Sequence, residues 1–438
     1  MVAGGSKKFS GISQIRSKLI HYWNCVDAEH RLLFDLMMTT TSSSTFTSRL
    51  STQLVLFSVL ATGIGQSMTF ALLAPLGREV NLSEVQIGLM ITCSALTFTL
   101  TSPIWGRTCD RWGRKPVLML GLIGYTFGCI MFASVFFFGL KGFLSGMNLY
   151  LLAISSRVLM ASLMSATPSA AAAYIADTTT AEQRIAGMGK LGAARTLGAI
   201  LGPAMSGLFA TIGLLAPLYI AAGITMISTI LVAIVLQEPL KVVSRSKKRL
   251  KLKLFDKRYF PFILIGFITF FAFSIMSQTI GFFIQDRFAL DGRTTAQSLG
   301  MGMMVSACMS FFSQAYLAGW VKMTPIRLIN FGLPVLFLGY ALLPFASSIS
   351  ILIAFMGVLG LGLGLVSPGF TSGASLSVGP KEQGAVGGLI SACPAAGFVL
   401  GPIVGTSLYQ IHHTLPYYCS CLLMLPLIIY ALRYGRTG

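Results

Sequence analysis

From residue 53 to about residue 433 the chain is a succession of twelve apolar stretches, each near or above the ~20 residues that a helix needs to cross a bilayer. Hydrocarbon offers no partner for a backbone N–H or C=O, so stretches of this kind must satisfy those groups internally and fold as helices. Only 10% of the residues are charged, against about 25% in a soluble domain. The expected fold is therefore all-α integral membrane, with twelve transmembrane helices near 53–76, 86–105, 117–139, 148–175, 185–211, 215–237, 259–284, 295–318, 328–345, 349–376, 384–409 and 414–433. Residues 1–52 are polar and mixed in charge, without a cleavable signal pattern. They are expected to form a disordered cytoplasmic tail.

The charges that remain are not scattered. Five fall in the eleven residues Gly106-Arg-Thr-Cys-Asp-Arg-Trp-Gly-Arg-Lys-Pro116, an island between two apolar runs. Charge that dense is expelled to the membrane surface, and four of the five are basic, which predicts the cytoplasmic side. With both termini inside, cytoplasmic segments hold 25 of the 32 Lys and Arg, and external loops hold four: Arg78, Lys141, Arg287 and Arg293. Membrane topology also accounts for the net charge of +19 without nucleic acid. Residues 238–258 carry nine of the bases and form a basic cytoplasmic linker between a first bundle at 53–237 and a second at 259–438.

The two bundles repeat each other. Pro168, Glu182, Gln183 and Gly187 recur 200 residues later as Pro368, Glu382, Gln383 and Gly387, and Gly198, Gly202 and Pro203 recur 199 later as Gly397, Gly401 and Pro402. Gln66, Phe70 and Gly88 recur 212 later as Gln278, Phe282 and Gly300. Ordered matches argue for duplication, and two pseudo-symmetric six-helix bundles suit alternating access.

The order Gly106, Asp110, Arg111, Gly113, Arg114, Lys115 resembles the loop between helices 2 and 3 of major facilitator superfamily transporters. Ala173-Tyr-Ile-Ala-Asp177 in helix 4 and Gly198-xxx-Gly202-Pro203-xxx-Gly207 in helix 5 are similar to motifs of that family's twelve-helix drug:proton antiporter branch. The resemblance covers about 53–435 and implies a role for each residue. Asp110 is expected to face the N-terminal end of helix 11, and Arg114 to pair with Asp177. Together they would latch the halves when the inner side is closed. Gly106 is expected to let helix 2 approach a neighbour, Gly198 and Gly202 to pack helix 5 tightly, and Pro203 to bend it. The second-half counterpart, Ala318 to Arg327, keeps Lys322 and Arg327 but has no Asp, so the latch is expected to be one-sided.

None of the thirteen acids is expected in a helix core, whereas Arg157, Lys190 and Arg195 are embedded. Drug antiporters that carry a helix 1 carboxylate differ here, where the matching stretch is Leu60-Ala-Thr-Gly-Ile-Gly-Gln66. Arg157 and Arg195 lie ~12 and ~15 Å deep by helical rise, and embedded bases tend to face a cavity. They are read as a clamp for a carboxylate or phosphate, with Gln66 and Gln278 as polar contacts at equivalent places in helices 1 and 7. The expected function is secondary active export of a small organic compound, an organic anion such as a carboxylate metabolite or siderophore, by rocker-type alternating access with protons as a candidate coupling ion. The alternatives are broad-specificity lipophilic drug efflux and, in another class, a non-transporting receptor or scaffold. No nucleophile–base or metal constellation points to an enzyme, a metal or a cofactor. The expected partners are a small-molecule substrate, protons and the lipid bilayer, with the chain a monomer in a bacterial inner membrane.

Overall fold

The computed structural model describes residues 28–179, 181–239, 256–318, 323–379 and 382–437. Most of the basic linker, with its Lys247-to-Lys253 run, and Lys322 in the counterpart of the island lie outside them. The described residues up to Gln53 form one unit and those from Leu54 onward a second. The described residues are helical throughout their ordered elements: α1 Ala28–Glu79, α2 Glu84–Trp112, α3 Arg114–Leu140, α4 Gly146–Thr178, α5 Ala181–Phe209, α6 Ala216–Val235, α7 Phe260–Phe288, α8 Gly292–Phe312, α9 Pro325–Leu342, α10 Ile349–Leu376, α11 Gln383–Ile411 and α12 Leu415–Thr437. The tail expected to be disordered is helical from Ala28 onward.

Ten of these helices are long and apolar enough to cross a membrane. The two that fall short are α5, which holds Lys190 and Arg195, and α8, which is rich in Gly, Ser and Thr. Small residues lower hydropathy but allow close helix approach, and these two helices pack against each other.

The departures from uninterrupted helix have local causes. In α4 the helix is broken at Ser165 into Gly146–Met164 and Ala166–Thr178. Pro168 lacks the N–H that would bond the Met164 carbonyl, and its ring crowds the preceding turn. α8 continues into a π-helical turn, Ser313–Ala318, and α9 tightens into a 3₁₀ turn, Leu343–Phe345.

The repeat is legible in the packing, and its register differs from the one expected. A Cβ on Gly198 would lie 2.9 Å from the Gly63 carbonyl carbon and the Ile64 nitrogen, and one on Gly397 2.8–2.9 Å from the Phe270 carbonyl carbon and the Phe271 nitrogen. Gly202 likewise abuts Ser67 and Met68, and Gly401 abuts Ser274 and Ile275. α5 thus packs on α1 as α11 packs on α7, with α1 and α7 related by 207 residues, the difference between 67 and 274 or 68 and 275. The offset of 212 holds for Gly88 and Gly300, so it applies only beyond the α7–α8 turn. Gln66 and Gln278 are consequently not equivalent: the counterpart of Gln66 is Phe273, and that of Gln278 is Ala71.

Candidate gates and translocation pathway

At the island end, Gly113 joins α2 to α3 with φ +100° and ψ 170°, a backbone conformation open almost only to glycine. A Cβ there would also sit 2.6 Å from Glu238 Oε1. That carboxylate accepts the Arg114 and Lys115 backbone N–H groups at 2.5 and 2.7 Å, an anion at the positive end of α3. Lys115 Nζ reaches the Ala233 carbonyl of α6 at 2.8 Å. Nothing in the sequence around Glu238 marks it as the cap of a helix 124 residues away.

Arg114 pairs with Asp177 as expected: Nε donates to Oδ2 at 2.7 Å, and the Arg114 guanidinium also donates to the Cys109 carbonyl. Asp110 lies 3.1 Å from Arg114, one turn away, and its side chain is 72% exposed. Its ion-pair partner here is Arg114 of the same half, not a group of α11. Arg111 is exposed. Gly106, expected to be in close helix contact, has open space where a Cβ would be. Gly189 and Gly192 on α5 and Gly387 and Gly388 on α11 face open space too. The ion pairs of Arg114, and those of Arg258 with Asp256 and Glu382, each stay within one half. Among the described residues no ion pair joins the halves at the island end, and these glycines stand open there.

The opposite end is shut. Gly88 of α2 abuts the Pro402 carbonyl and Thr406 of α11; Gly300 of α8 lies where a Cβ would meet the Pro203 carbonyl at 2.5 Å and Gly207 of α5 at 2.9 Å. These contacts are pseudo-symmetric, since 203 and 207 correspond to 402 and 406. They give the helix 5 motif a position in the machine: Gly198 and Gly202 hold α5 to α1, while Pro203 and Gly207 meet the other half. Polar groups add to the closure. Arg78 donates to both carboxylate oxygens of Asp286 across the halves and to Glu84 Oε1 at 2.6 Å, and the Gly292 N–H donates to Glu79 Oε1 at 3.1 Å. Of these groups only Arg78 stood out in the sequence, as an external loop charge.

Between the ends lies an aromatic cluster that joins the halves. Phe70 of α1 stacks with Phe398 of α11 at 6.4 Å and 19°, and Phe273 of α7 meets the same ring edge-on at 6.4 Å. All three are partly exposed. Arg157 does not open onto a pathway here. It is 2% exposed, its guanidinium carbon lies 5.2 Å from the Phe70 ring centre and 5.6 Å from that of Phe132, and its Nε and Nη1 have no hydrogen-bond partner. The rings, not an anion, face its charge. Arg195 is exposed, so the two arginines do not form a ready clamp in this state. Gln278 is buried at 6% exposure and Gln66 is partly exposed. Among the described residues no group of His, Cys, Asp and Glu could hold a metal ion.

A sequence model described as Major Facilitator Superfamily matches residues 55–402. The chain belongs to this family. The superfamily member described here is a multi-pass membrane transporter, not an enzyme. It is 29% identical to multidrug resistance protein 1 of Bacillus subtilis (strain 168), over 78% of this chain and 85% of the relative. It is 27% identical to the class B tetracycline resistance protein of Escherichia coli, over 87% and 94%. Its fold matches the crystal structure of a bacterial homologue of the iron transporter ferroportin in an inward-facing state, with TM-score 0.66 and 16% identity over 88% of this chain and 98% of that one.

Proposed function

We propose that this transporter exports lipophilic, aromatic-rich compounds, drugs among them, from the cytoplasm across the bacterial plasma membrane, acting as a monomer by rocker-type alternating access. The excess of Lys and Arg supports placing the island end and both termini in the cytoplasm, which makes the conformation described above inward-facing. The observation that carries the reading is the cluster of Phe70, Phe273 and Phe398, partly exposed where the halves meet between the two ends. Ring faces bind planar apolar ligands without demanding one hydrogen-bond pattern, which suits broad specificity. The names of the relatives, multidrug and tetracycline resistance proteins, support lipophilic drugs over the carboxylate metabolites or siderophores that the charge audit suggested.

The distribution of charges still narrows the class. Arg195 is exposed deep in α5, and the acids among the described residues lie at or near helix ends or in connections. A cationic ligand would meet a positive charge with no carboxylate beside it, so neutral and anionic compounds are favoured. Gln66 is a candidate polar contact. Arg157 acts through Phe70, whose ring it holds from behind. Protons then couple either on the substrate itself or through Asp110 and Asp177 at the cytoplasmic end. A receptor or scaffold has no use for an end that closes while the other opens.

Everted membrane vesicles supplied with planar lipophilic dyes of positive, zero and negative charge test this. Energised vesicles should accumulate the neutral and anionic dyes, and Arg195→Gln should cut uptake of the anionic dye by about tenfold while sparing the neutral one. Failure to accumulate any dye sinks the transport reading; preferential uptake of the cation sinks the charge argument.

A further inference from the structure

The outer end carries a charge cluster with an unusual division of partners. Arg78, at the end of α1, bridges to Asp286, at the end of α7, and this bond crosses the halves. Each of the two groups also has a partner on its own side. Arg78 holds Glu84 at the start of α2 at 2.6 Å, within the first half. Asp286 accepts from the Tyr409 hydroxyl at 2.6 Å and lies 3.3 Å from His413 Nδ1, both in the second half. The Arg78 guanidinium also lies over the Phe282 ring at 5.1 Å. A second bond across the halves runs from the Gly292 N–H to Glu79 Oε1.

We propose that Arg78 and Asp286 are the outer lock of the transport cycle, and that the lock opens with each member falling back on a partner it already holds. When the halves part, Arg78 keeps Glu84, and Asp286 keeps Tyr409 and His413. Neither charge is stranded, so breaking the bridge does not carry the desolvation and unpairing cost that removal of one member of a closed pair incurs. The side chains of Arg78, Glu84 and Asp286 are 20%, 21% and 29% exposed, enough burial for the bridge to bias closure and too little for it to trap the protein. The inner end is built differently. Arg114 and Asp177 sit in one half, so that pair does not itself resist separation of the halves.

The mechanism assigns opposite signs to neighbouring residues. Asp286→Asn removes the bridge and should favour the outward-open state. Glu84→Gln and Tyr409→Phe each remove a fallback partner while leaving the bridge, and should favour the closed outer end. The readout is labelling by a membrane-impermeant maleimide in a chain whose native cysteines are replaced, with one cysteine introduced at Ala296, which is 0% exposed behind the outer contact. A parallel chain carries the cysteine at Gly106, open at the inner end. Asp286→Asn should raise labelling at position 296 by roughly fivefold and lower it at 106; Glu84→Gln and Tyr409→Phe should do the reverse. The proposal is overturned if Asp286→Asn leaves both rates unchanged, if Glu84→Gln raises labelling at 296, or if any variant raises both sites together, as loss of packing would. The readout is accessibility rather than flux, so it stands or falls apart from the choice of substrate.

Discussion

Gly113→Ala separates the two glycines of the charged island. At φ +100° and ψ 170° a residue with a Cβ occupies a region that costs about 1–3 kcal/mol. The same Cβ would stand 2.6 Å from Glu238 Oε1, so the carboxylate must retreat from the α3 N-terminus. The two N–H bonds it accepts are to a charged group but lie at an exposed surface, so their loss adds about 1 kcal/mol. The sum, about 2–4 kcal/mol, falls on the junction of α2, α3 and α6. Gly106→Ala, in contrast, places its Cβ in open space and should be close to neutral in this state. The assay is thermal unfolding of the purified transporter in detergent, followed by loss of the monodisperse peak. Gly113→Ala should unfold roughly 4–8 °C lower, taking about 2 °C per kcal/mol for a large domain, and Gly106→Ala within about 1 °C of the parent. Equal midpoints for the two would refute the assignment, because the argument rests wholly on their different surroundings. A Gly113→Ala chain restored by Glu238→Ala would locate the cost in the clash; one that is not restored would locate it in the backbone.

Asp110→Asn should abolish most transport while leaving membrane insertion and the thermal midpoint unchanged, since the 72% exposed carboxylate holds little here; a fully active variant, measured by dye uptake at equal expression, rules out the inner latch. Gly300→Ala should push α8 off the Pro203 carbonyl, an overpacking cost of about 1–3 kcal/mol that opens the outer end; unaltered maleimide labelling at position 296 would show that the contact yields freely. Glu382 is held below the usual carboxylate range first by its hydrogen bonds from Arg258. A depressed folded-state pKa means that the pair's contribution is complete above the ordinary carboxylate pKa and fades as pH falls through the lower folded value, so stability of the Arg258→Gln variant and its parent should differ by the same small amount from pH 6 to 8 and converge only in strong acid. A difference that changes between pH 6 and 8 would assign the titration to another group.

The apolar runs gave the fold class, and the charged island with the helix 4 and helix 5 motifs carried the reading to the right family. Helix number and the tight packing of Gly198 and Gly202 followed from short-range rules, hydrocarbon length and the approach that small residues permit, while the pairing of Arg114 with Asp177 came from the family resemblance. The register between α1 and α7 did not follow. Matching identities aligned Gln66 with Gln278, whereas the glycines of α5 and α11 set the offset at 207 and make Phe273 the counterpart of Gln66. A helix tolerates identities at many offsets, and only the partner across the interface selects one. Glu238, Arg78, Asp286 and Phe398 escaped notice for the same reason, because each acts on a group more than 100 residues away.

What the sequence determined by itself is the kind of molecule: twelve helices, two related halves and a basic face, since these depend on the solvent a segment must tolerate and on its nearest neighbours along the chain. Which end is shut was decided only in three dimensions. Gly106 and Gly300 both sit in small-residue helix faces, and nothing local distinguishes the one that faces open space from the one pressed against a proline carbonyl. That difference belongs to the relative placement of two bundles held by weak, exchangeable contacts, and a sequence built to visit both placements encodes both.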